Sequence, residues 1–184
     1  MRNTIKMIAV LTTLGFLSGA ALVFIYNYAS PRIAQNQKNE TEQAIYKIFT
    51  DGKSYDTKKI GEDDIYSVKD ANGKLLGYAF PAEGNGYQGE IDILVGIQPD
   101  LETLEGIEIL DSQETPGLGQ EITTEQFEGQ FKGLKVSPSI GYVKNQKPAN
   151  PNDIEAITGA TVSSKAVVTI LNDRIAKLKE ELKK

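Results

Sequence analysis

Ile157-Thr158-Gly159-Ala160-Thr161-Val162-Ser163-Ser164-Lys165-Ala166-Val167 is the stretch on which the reading of this chain turns. Its small residues, Thr158 to Thr161, stand where a loop runs into a helix. Beyond them Val167, Ile170, Leu171, Ile175, Leu178 and Leu182 recur at helical spacing, which predicts a helix to the C-terminus. Lys177, Lys179, Lys183 and Lys184 suit the negative end of its dipole. The first turn of a helix carries N–H groups without intrahelical partners, at the positive end of the dipole, and holds a phosphate readily. Gly159 and Ala160 leave the approach open, and the hydroxyls of Thr158, Thr161, Ser163 and Ser164 crowd the junction, with Lys165 close by. The same residues also read as an ordinary N-cap, which any Thr or Ser supplies. Local chemistry alone favours the ordinary cap.

Working outward, Lys147 to Asp153 is a loop rich in Pro and Asn, and Gly141-Tyr142-Val143 a short strand. Thr123 or Thr124 caps a short helix, Glu125 to Phe131, whose Phe127 and Phe131 lie on one face and point to the core. In Gln113-Glu114-Thr115-Pro116-Gly117-Leu118-Gly119-Gln120, Pro-Gly predicts a tight turn with a positive φ at Gly117. Gly119 allows a close approach to the backbone, and Leu118, apolar on a glycine-flanked tip, wants a partner. Ile91 to Ile97 and Leu104 to Leu110 are strands. Ile65 to Phe80 is a hairpin turning at Asn72-Gly73, followed by a loop through Pro81, Gly84, Gly86 and Gly89. The expected fold class is therefore α+β, an antiparallel sheet flanked by helices.

At the N-terminus, Arg2 and Lys6 precede a run from Met7 to Pro31 that holds no charged residue. Roughly 20 apolar residues suffice to span a bilayer's hydrocarbon core. Tyr26 and Tyr28 stand where an aromatic belt sits, and Asn27-Tyr28-Ala29 is a poor signal-peptidase site, so a retained single-span anchor is expected. Arg2 and Lys6 against Arg32 and Lys38 barely separate the two orientations, leaning to a cytoplasmic N-terminus. Pro31 either starts a new helix or kinks the old one, and Ile33 to Phe49 reads as a helical stalk ended by Asp51-Gly52-Lys53-Ser54. The expected organisation is 1–30 tail and transmembrane helix, 31–52 stalk, and 53–184 folded domain.

The formal net charge is −5, with no basic patch to offset it, so nucleic acid is not an expected partner. The chain contains no Cys, His or Trp. Thiol catalysis, thiolate metal ligation, Fe–S ligation and a Ser-His-Asp triad are therefore excluded within this chain. Any redox chemistry has to be carried by an organic cofactor.

Thr158-Gly159-Ala160-Thr161-Val162-Ser163 resembles the flavinylation motif of FMN-binding domains, [ST]-G-A-T-x-[ST]. Glu114-Thr115-Pro116-Gly117-Leu118-Gly119 resembles a second motif of that family, and Gly86-Tyr87-Gln88-Gly89-Glu90-Ile91 through Leu94-Val95-Gly96-Ile97 a third. Three motifs in this order after a single membrane span resemble the G subunit of the Rnf complex. One departure is Glu155, six positions before Thr161, where the pattern usually has Asp. The resemblance implies a covalent FMN, joined by a separate flavin transferase through its phosphate to Thr161, in an extracytoplasmic electron carrier. The complex it implies couples electron flow between ferredoxin and NAD to ion transport, with its other subunits as partners. Thr158 and Ser163 are then candidate donors to the phosphodiester, Gly159, Ala160 and Val162 surround it, and Lys165 is a candidate counter-charge. Glu114, Thr115, Leu118 and Gly119 are expected to flank the flavin ring, Glu114 chiefly as a hydrogen-bonding residue. Other readings are the C subunit of the sodium-pumping NADH:quinone reductase, a stand-alone extracytoplasmic flavoprotein, and a membrane-tethered assembly module without redox function.

Overall fold

The computed structural model describes residues 2–61 and 63–182, so the terminal Lys183 and Lys184 lie outside the described residues. Two compact units emerge, Met1–Glu40 and Thr41–Lys184.

The first unit is helical. Helix α1 spans Arg2–Ile48 and carries Pro31 inside it, so Pro31 neither ends one helix nor opens another. Its apolar side chains project all round: Phe16, Leu22 and Phe24 are 77%, 68% and 73% exposed. A helix apolar on every face and long enough to cross a bilayer needs lipid around it. Within the apolar stretch the Thr13 hydroxyl donates to the Ala9 carbonyl at 2.8 Å, which satisfies it without water. The Arg32 guanidinium lies 4.5 Å from the Tyr28 ring centroid, a cation–π contact where the apolar run ends.

The second unit takes in the last turns of α1, so the segment expected as a stalk is divided, and the folded domain begins at Thr41 rather than at residue 53. The reason is the spacing of Ala44, Ile45, Ile48 and Phe49, which forms one buried face. That face packs on Val68, Ala79 and Leu94 of the sheet. Gly77 and Gly96 admit it, since a Cβ on either would collide with the Phe49 ring or with Ile48.

The sheet is an antiparallel meander, β1 (Ser54–Ile60), β2 (Asp63–Lys69), β3 (Leu75–Asn85), β4 (Glu90–Ile97) and β5 (Leu104–Ser112), hydrogen-bonded in that order. Strand β1 is absent from the sequence reading. It is a mostly exposed edge strand carrying Asp56, Lys58 and Lys59, and its charges hide the alternation. The β2–β3 turn is held by Asp70, whose Oδ1 accepts the N–H groups of Asn72 and Lys74 at 2.8 and 2.9 Å, with Gly73 at φ 78°. Strand β3 continues through Pro81 into the stretch expected as a loop. Pairing with β2 extends only to Tyr66↔Ala79, so Pro81 occupies an unpaired edge of β3 while it still pairs Leu94 of β4. Its carbonyl accepts from Arg174 Nε at 3.1 Å.

After β5 come a 3₁₀ turn (Gly119–Thr123), α2 (Glu125–Glu128) and a second 3₁₀ turn (Gly129–Phe131), where the sequence predicts one helix. Phe127 and Phe131 are buried as expected, with ring centroids 5.4 Å apart. Thr124 stands at the N-cap of α2 without a side-chain capping bond. Strand β6 (Gly141–Lys144) pairs in parallel with β7 (Asp153–Ala156), and α3 (Thr161–Glu181) follows. Val167, Leu171, Ile175 and Leu178 of α3 pack with Ile65, Phe80, Ile91, Ile93 and Val95. Strand alternation puts these on the face opposite Val68, Ala79 and Leu94, so the sheet is covered on both sides. The observed fold is thus the expected α+β antiparallel sheet flanked by helices.

Candidate functional site

Three stretches far apart in the chain meet at the N-terminus of α3. The first is the turn between β3 and β4, closed by the Gly86 N–H donating to the Gly89 carbonyl at 2.7 Å. The second follows β5, where Gly117 has φ 70° as its turn requires and the N–H groups of Leu118 and Gln120 donate to the Thr115 carbonyl at 3.2 and 3.1 Å. The third is Ile157–Ala160, a tight turn closed by the Ala160 N–H donating to the Ile157 carbonyl at 3.0 Å, with Gly159 at φ 87°. A β-carbon is strongly disfavoured at that φ, which is the reason for Gly159. Ser164 Oγ fixes this turn from within the helix. It accepts the Ile157 N–H and donates to the Ala160 carbonyl, both at 3.0 Å.

The carboxylate of Glu114 joins all three. Its residue is 5% exposed. One oxygen accepts the N–H groups of Tyr87 and Gln88 at 2.6 and 3.0 Å, and the other accepts the Ser163 hydroxyl at 2.7 Å. A Cβ on Gly86 would run into the first oxygen, and one on Gly119 into the second and into Ser163 Oγ. What Gly119 lets approach is thus Glu114 itself. Burial pushes the Glu114 carboxyl up, but the hydrogen bonds from Gln88, Ser163 and Tyr87 outweigh it and hold the group below the usual carboxylate range. Thr115 closes the arrangement by donating its hydroxyl to Gln88 Oε1.

Beside this carboxylate lies a cleft of about 380 Å³, lined by Tyr87, Glu114 to Gly119 in part, and Gly159 to Ser163. That size falls in the range of small-molecule sites, about 300–1,000 Å³. Tyr87, Leu118 and Val162 form an exposed apolar rim at 72%, 53% and 54% exposure. Thr161 is the first residue of α3, half-buried in the cleft wall, and its Oγ1 makes a long 3.5 Å contact with the Ile157 carbonyl. The N-cap is Ala160, with no side-chain capping bond, which corrects the expectation that a Thr or Ser caps this helix. The first intrahelical bond is Ser164 N–H to Ala160 carbonyl, and among the described residues the N–H groups of Thr161, Val162 and Ser163 have no protein acceptor. A helix N-terminus with free donors and an apolar cap fits a phosphate.

Not every candidate residue points there. Ser163 is buried against Glu114 rather than turned to the open end of the helix. Thr158 Oγ1 donates outward to Asn145 Oδ1 at 3.0 Å. Lys165 is exposed and borders the neighbouring groove of about 690 Å³ with Asp63, Arg174 and Lys177, while Val162 borders both. Within that larger groove Arg174 is already paired with Asp63 and Glu181 at 3.0 and 3.3 Å. Glu155 lies in β7, its backbone N–H donating to Gln130 Oε1 at 2.7 Å. Tyr87 and Ser164, named from sequence only within a motif and at the junction, are site residues whose roles the sequence does not assign. Tyr87 carried a signal, since an exposed Tyr between two glycines in Gly86-Tyr87-Gln88-Gly89 is out of place in a plain turn.

A family profile described as an FMN-binding domain matches residues 86–176, which takes in all three stretches. The G subunit of the proton-translocating ferredoxin:NAD(+) oxidoreductase complex of Clostridium ljungdahlii is 36% identical over 157 residues, covering 85% of this chain and 82% of that one. The G subunit of the ion-translocating oxidoreductase complex of Methanosarcina acetivorans is 30% identical over 178 residues, covering 92% of each chain. Among solved structures, the C subunit of the Na(+)-translocating NADH-quinone reductase from Parabacteroides distasonis matches with a TM-score of 0.64 at 19% identity, covering 83% of this chain and 97% of that one, a likeness of fold. With relatives matched along most of their length and an apolar helix that anchors it to a membrane, the chain belongs to the RnfG-like family of FMN-binding electron-transfer subunits of Rnf complexes.

Proposed function

We propose that this subunit carries one FMN covalently, through a phosphoester to Thr161 Oγ1, and relays electrons on the extracytoplasmic side of an ion-translocating ferredoxin:NAD oxidoreductase complex. The observation that carries the reading is the start of α3: a threonine hydroxyl at the first helical position, three N–H groups without protein acceptors, and a cap that supplies none. These N–H groups offset the charge of a phosphodiester on the adjacent hydroxyl. FMN supplies reversible electron uptake at its isoalloxazine ring. The chain's own residues hold and shield it. Leu118, Val162 and Tyr87 offer apolar surface to a planar ring, and Glu114 with Ser163 fixes the acceptor helix against the Leu118 loop.

A threonine hydroxyl is a weak nucleophile, and among the described residues lining the cleft the one carboxylate, Glu114, is a weakened base whose two oxygens already accept from Tyr87, Gln88 and Ser163. Attachment therefore falls to a separate flavin transferase. The covalent link keeps the cofactor from being lost by dilution outside the cell.

The test is co-expression of the full chain with a flavin transferase, followed by a denaturing gel under ultraviolet light and intact mass. A fluorescent band heavier by FMN minus water is expected. Thr161→Val abolishes it, and Thr158→Val retains it. A dark wild-type band, or equal labelling of both variants, overturns the assignment.

A further inference from the structure

Among the described residues, Glu114 is the one charged side chain lining the Thr161 cleft. The donors on its two oxygens, the Tyr87 and Gln88 N–H groups and the Ser163 hydroxyl, are all neutral. Among the described residues no lysine or arginine pairs with it; the ion pairs of the domain lie elsewhere, on Lys47, Lys69, Arg174 and Lys177. Gly86 and Gly119 let the backbone approach both oxygens closely, and the residue is buried. The cleft is thus bordered by a fixed, desolvated negative charge without a counter-ion. Such a charge is screened far less than one on the surface, and it acts across the cavity.

We propose that Glu114 is a potential-setting residue, whose fixed negative charge disfavours reduction of a flavin held at Thr161 and so lowers its midpoint potential. The inference rests on the flavin reading above and adds to it a role that the hydrogen bonds alone do not imply. Two-electron reduction by the donor with uptake of one proton from solvent leaves one added negative charge on the ring. Glu114 forms no bond and gives up no proton, because as a carboxylate with both oxygens occupied by donors it has none to give. Its effect is electrostatic. A negative charge added near a carboxylate raises the energy of the reduced form relative to the oxidised form, and at an effective dielectric near 20 this is on the order of a ten-fold change in their ratio.

The alternative is that Glu114 only ties the three stretches together. The two roles separate in Glu114→Gln and Glu114→Asp. Glutamine is isosteric. Its amide oxygen accepts from Tyr87 and Gln88, and its NH₂ donates to the Ser163 hydroxyl, which can accept. It keeps the tie and removes the charge. Aspartate keeps the charge and loosens the tie. The experiment is a spectroscopic redox titration at pH 7 of the full-length, flavin-labelled chains in detergent, with dithionite and mediator dyes. At the wild-type midpoint, Glu114→Gln is expected to be about ten-fold more reduced, and Glu114→Asp to stay within about two-fold of wild type. Three results overturn the inference: a Glu114→Gln midpoint that is unmoved or lower, an Asp variant that shifts as far as the Gln variant, or a Gln variant that no longer folds, which makes the tie inseparable from the charge. A wild-type chain that takes up no flavin refutes the cofactor reading together with this one. A labelled wild type whose potential ignores Glu114→Gln refutes this one alone.

Discussion

Glu114, at the α3 cleft, and Glu128, at the junction between α2 and the end of α1, are glutamates buried to nearly the same depth, 5% and 6% exposed. Their ionisation moves in opposite directions. Burial pushes both up. At Glu114 neutral donors on both oxygens reverse the push. Glu128 receives one N–H, from Ile109 at 2.9 Å, while Lys47 stands 3.5 Å away and closer to Glu108, at 2.5 Å. With burial leading and the Glu108 charge adding to it, against the Ile109 N–H and Lys47, the Glu128 carboxyl is pushed up to about 7. The pair shows that depth alone does not decide whether a carboxyl stays charged. The number of donors aimed at it does.

The comparison breaks most sharply at Glu114→Ala. Three donors lose their buried acceptor, and the domain is expected to lose about 3–5 kcal/mol of stability in urea unfolding at pH 7. A loss below about 1 kcal/mol would mean the donors find other partners.

Next in size is the pH dependence. Glu128 ionises at about 7 in the folded chain against an ordinary 4.5, so between these values the folded state binds more protons than the unfolded state. Its contribution to stability is therefore full below the unfolded value and falls as pH rises through about 7, by up to about 3 kcal/mol. Glu128→Gln is expected to flatten that slope, so that unfolding measured at pH 5 and pH 8 converges; an unchanged slope places the titration elsewhere. Glu114 has the opposite sign. Its folded value lies below 4.5, so its contribution is present above the unfolded value and is lost as pH falls through the folded one.

The smallest effect is expected at Ser163→Ala, which removes one of the Glu114 donors and should cost about 1.5 kcal/mol at pH 7. It should also move the acid loss of stability toward neutral pH. A shift the other way would remove Ser163 from the account of Glu114.

The elements that the sequence discloses are those whose side chains alternate or recur. β4 reads as a strand because Ile91, Ile93, Val95 and Ile97 face one core and Leu94 the other. α3 reads as a helix for the same kind of reason. β1 stays hidden because its edge position fills it with charge, and β7 because four residues beside a Pro- and Asn-rich loop carry too little pattern. At the site, the three motifs could be named singly, and Gly117 and Gly159 take the positive φ that their turns need. That Gly86, Gly119 and Ser163 are all spent on one carboxylate is a relation between positions far apart in the chain, and only the fold brings them together. The same holds for Lys165, which local spacing sets beside Thr161 but which the helix turns toward the neighbouring groove.

The shared seat around Glu114 has a consequence for transplanting the site. A graft of Ile157–Val167 onto the start of another helix carries the acceptor hydroxyl and the uncapped N–H groups, but leaves Ser163 without its carboxylate and Leu118 behind. Such a tag could be tested for receipt of a label, but it lacks the wall that gives the label an orientation. A working miniature needs Gly86–Gly89, Glu114–Gly119 and Ile157–Ser164 together, with β4 and β5 between the first two, whose buried side chains bring those stretches to the same carboxylate.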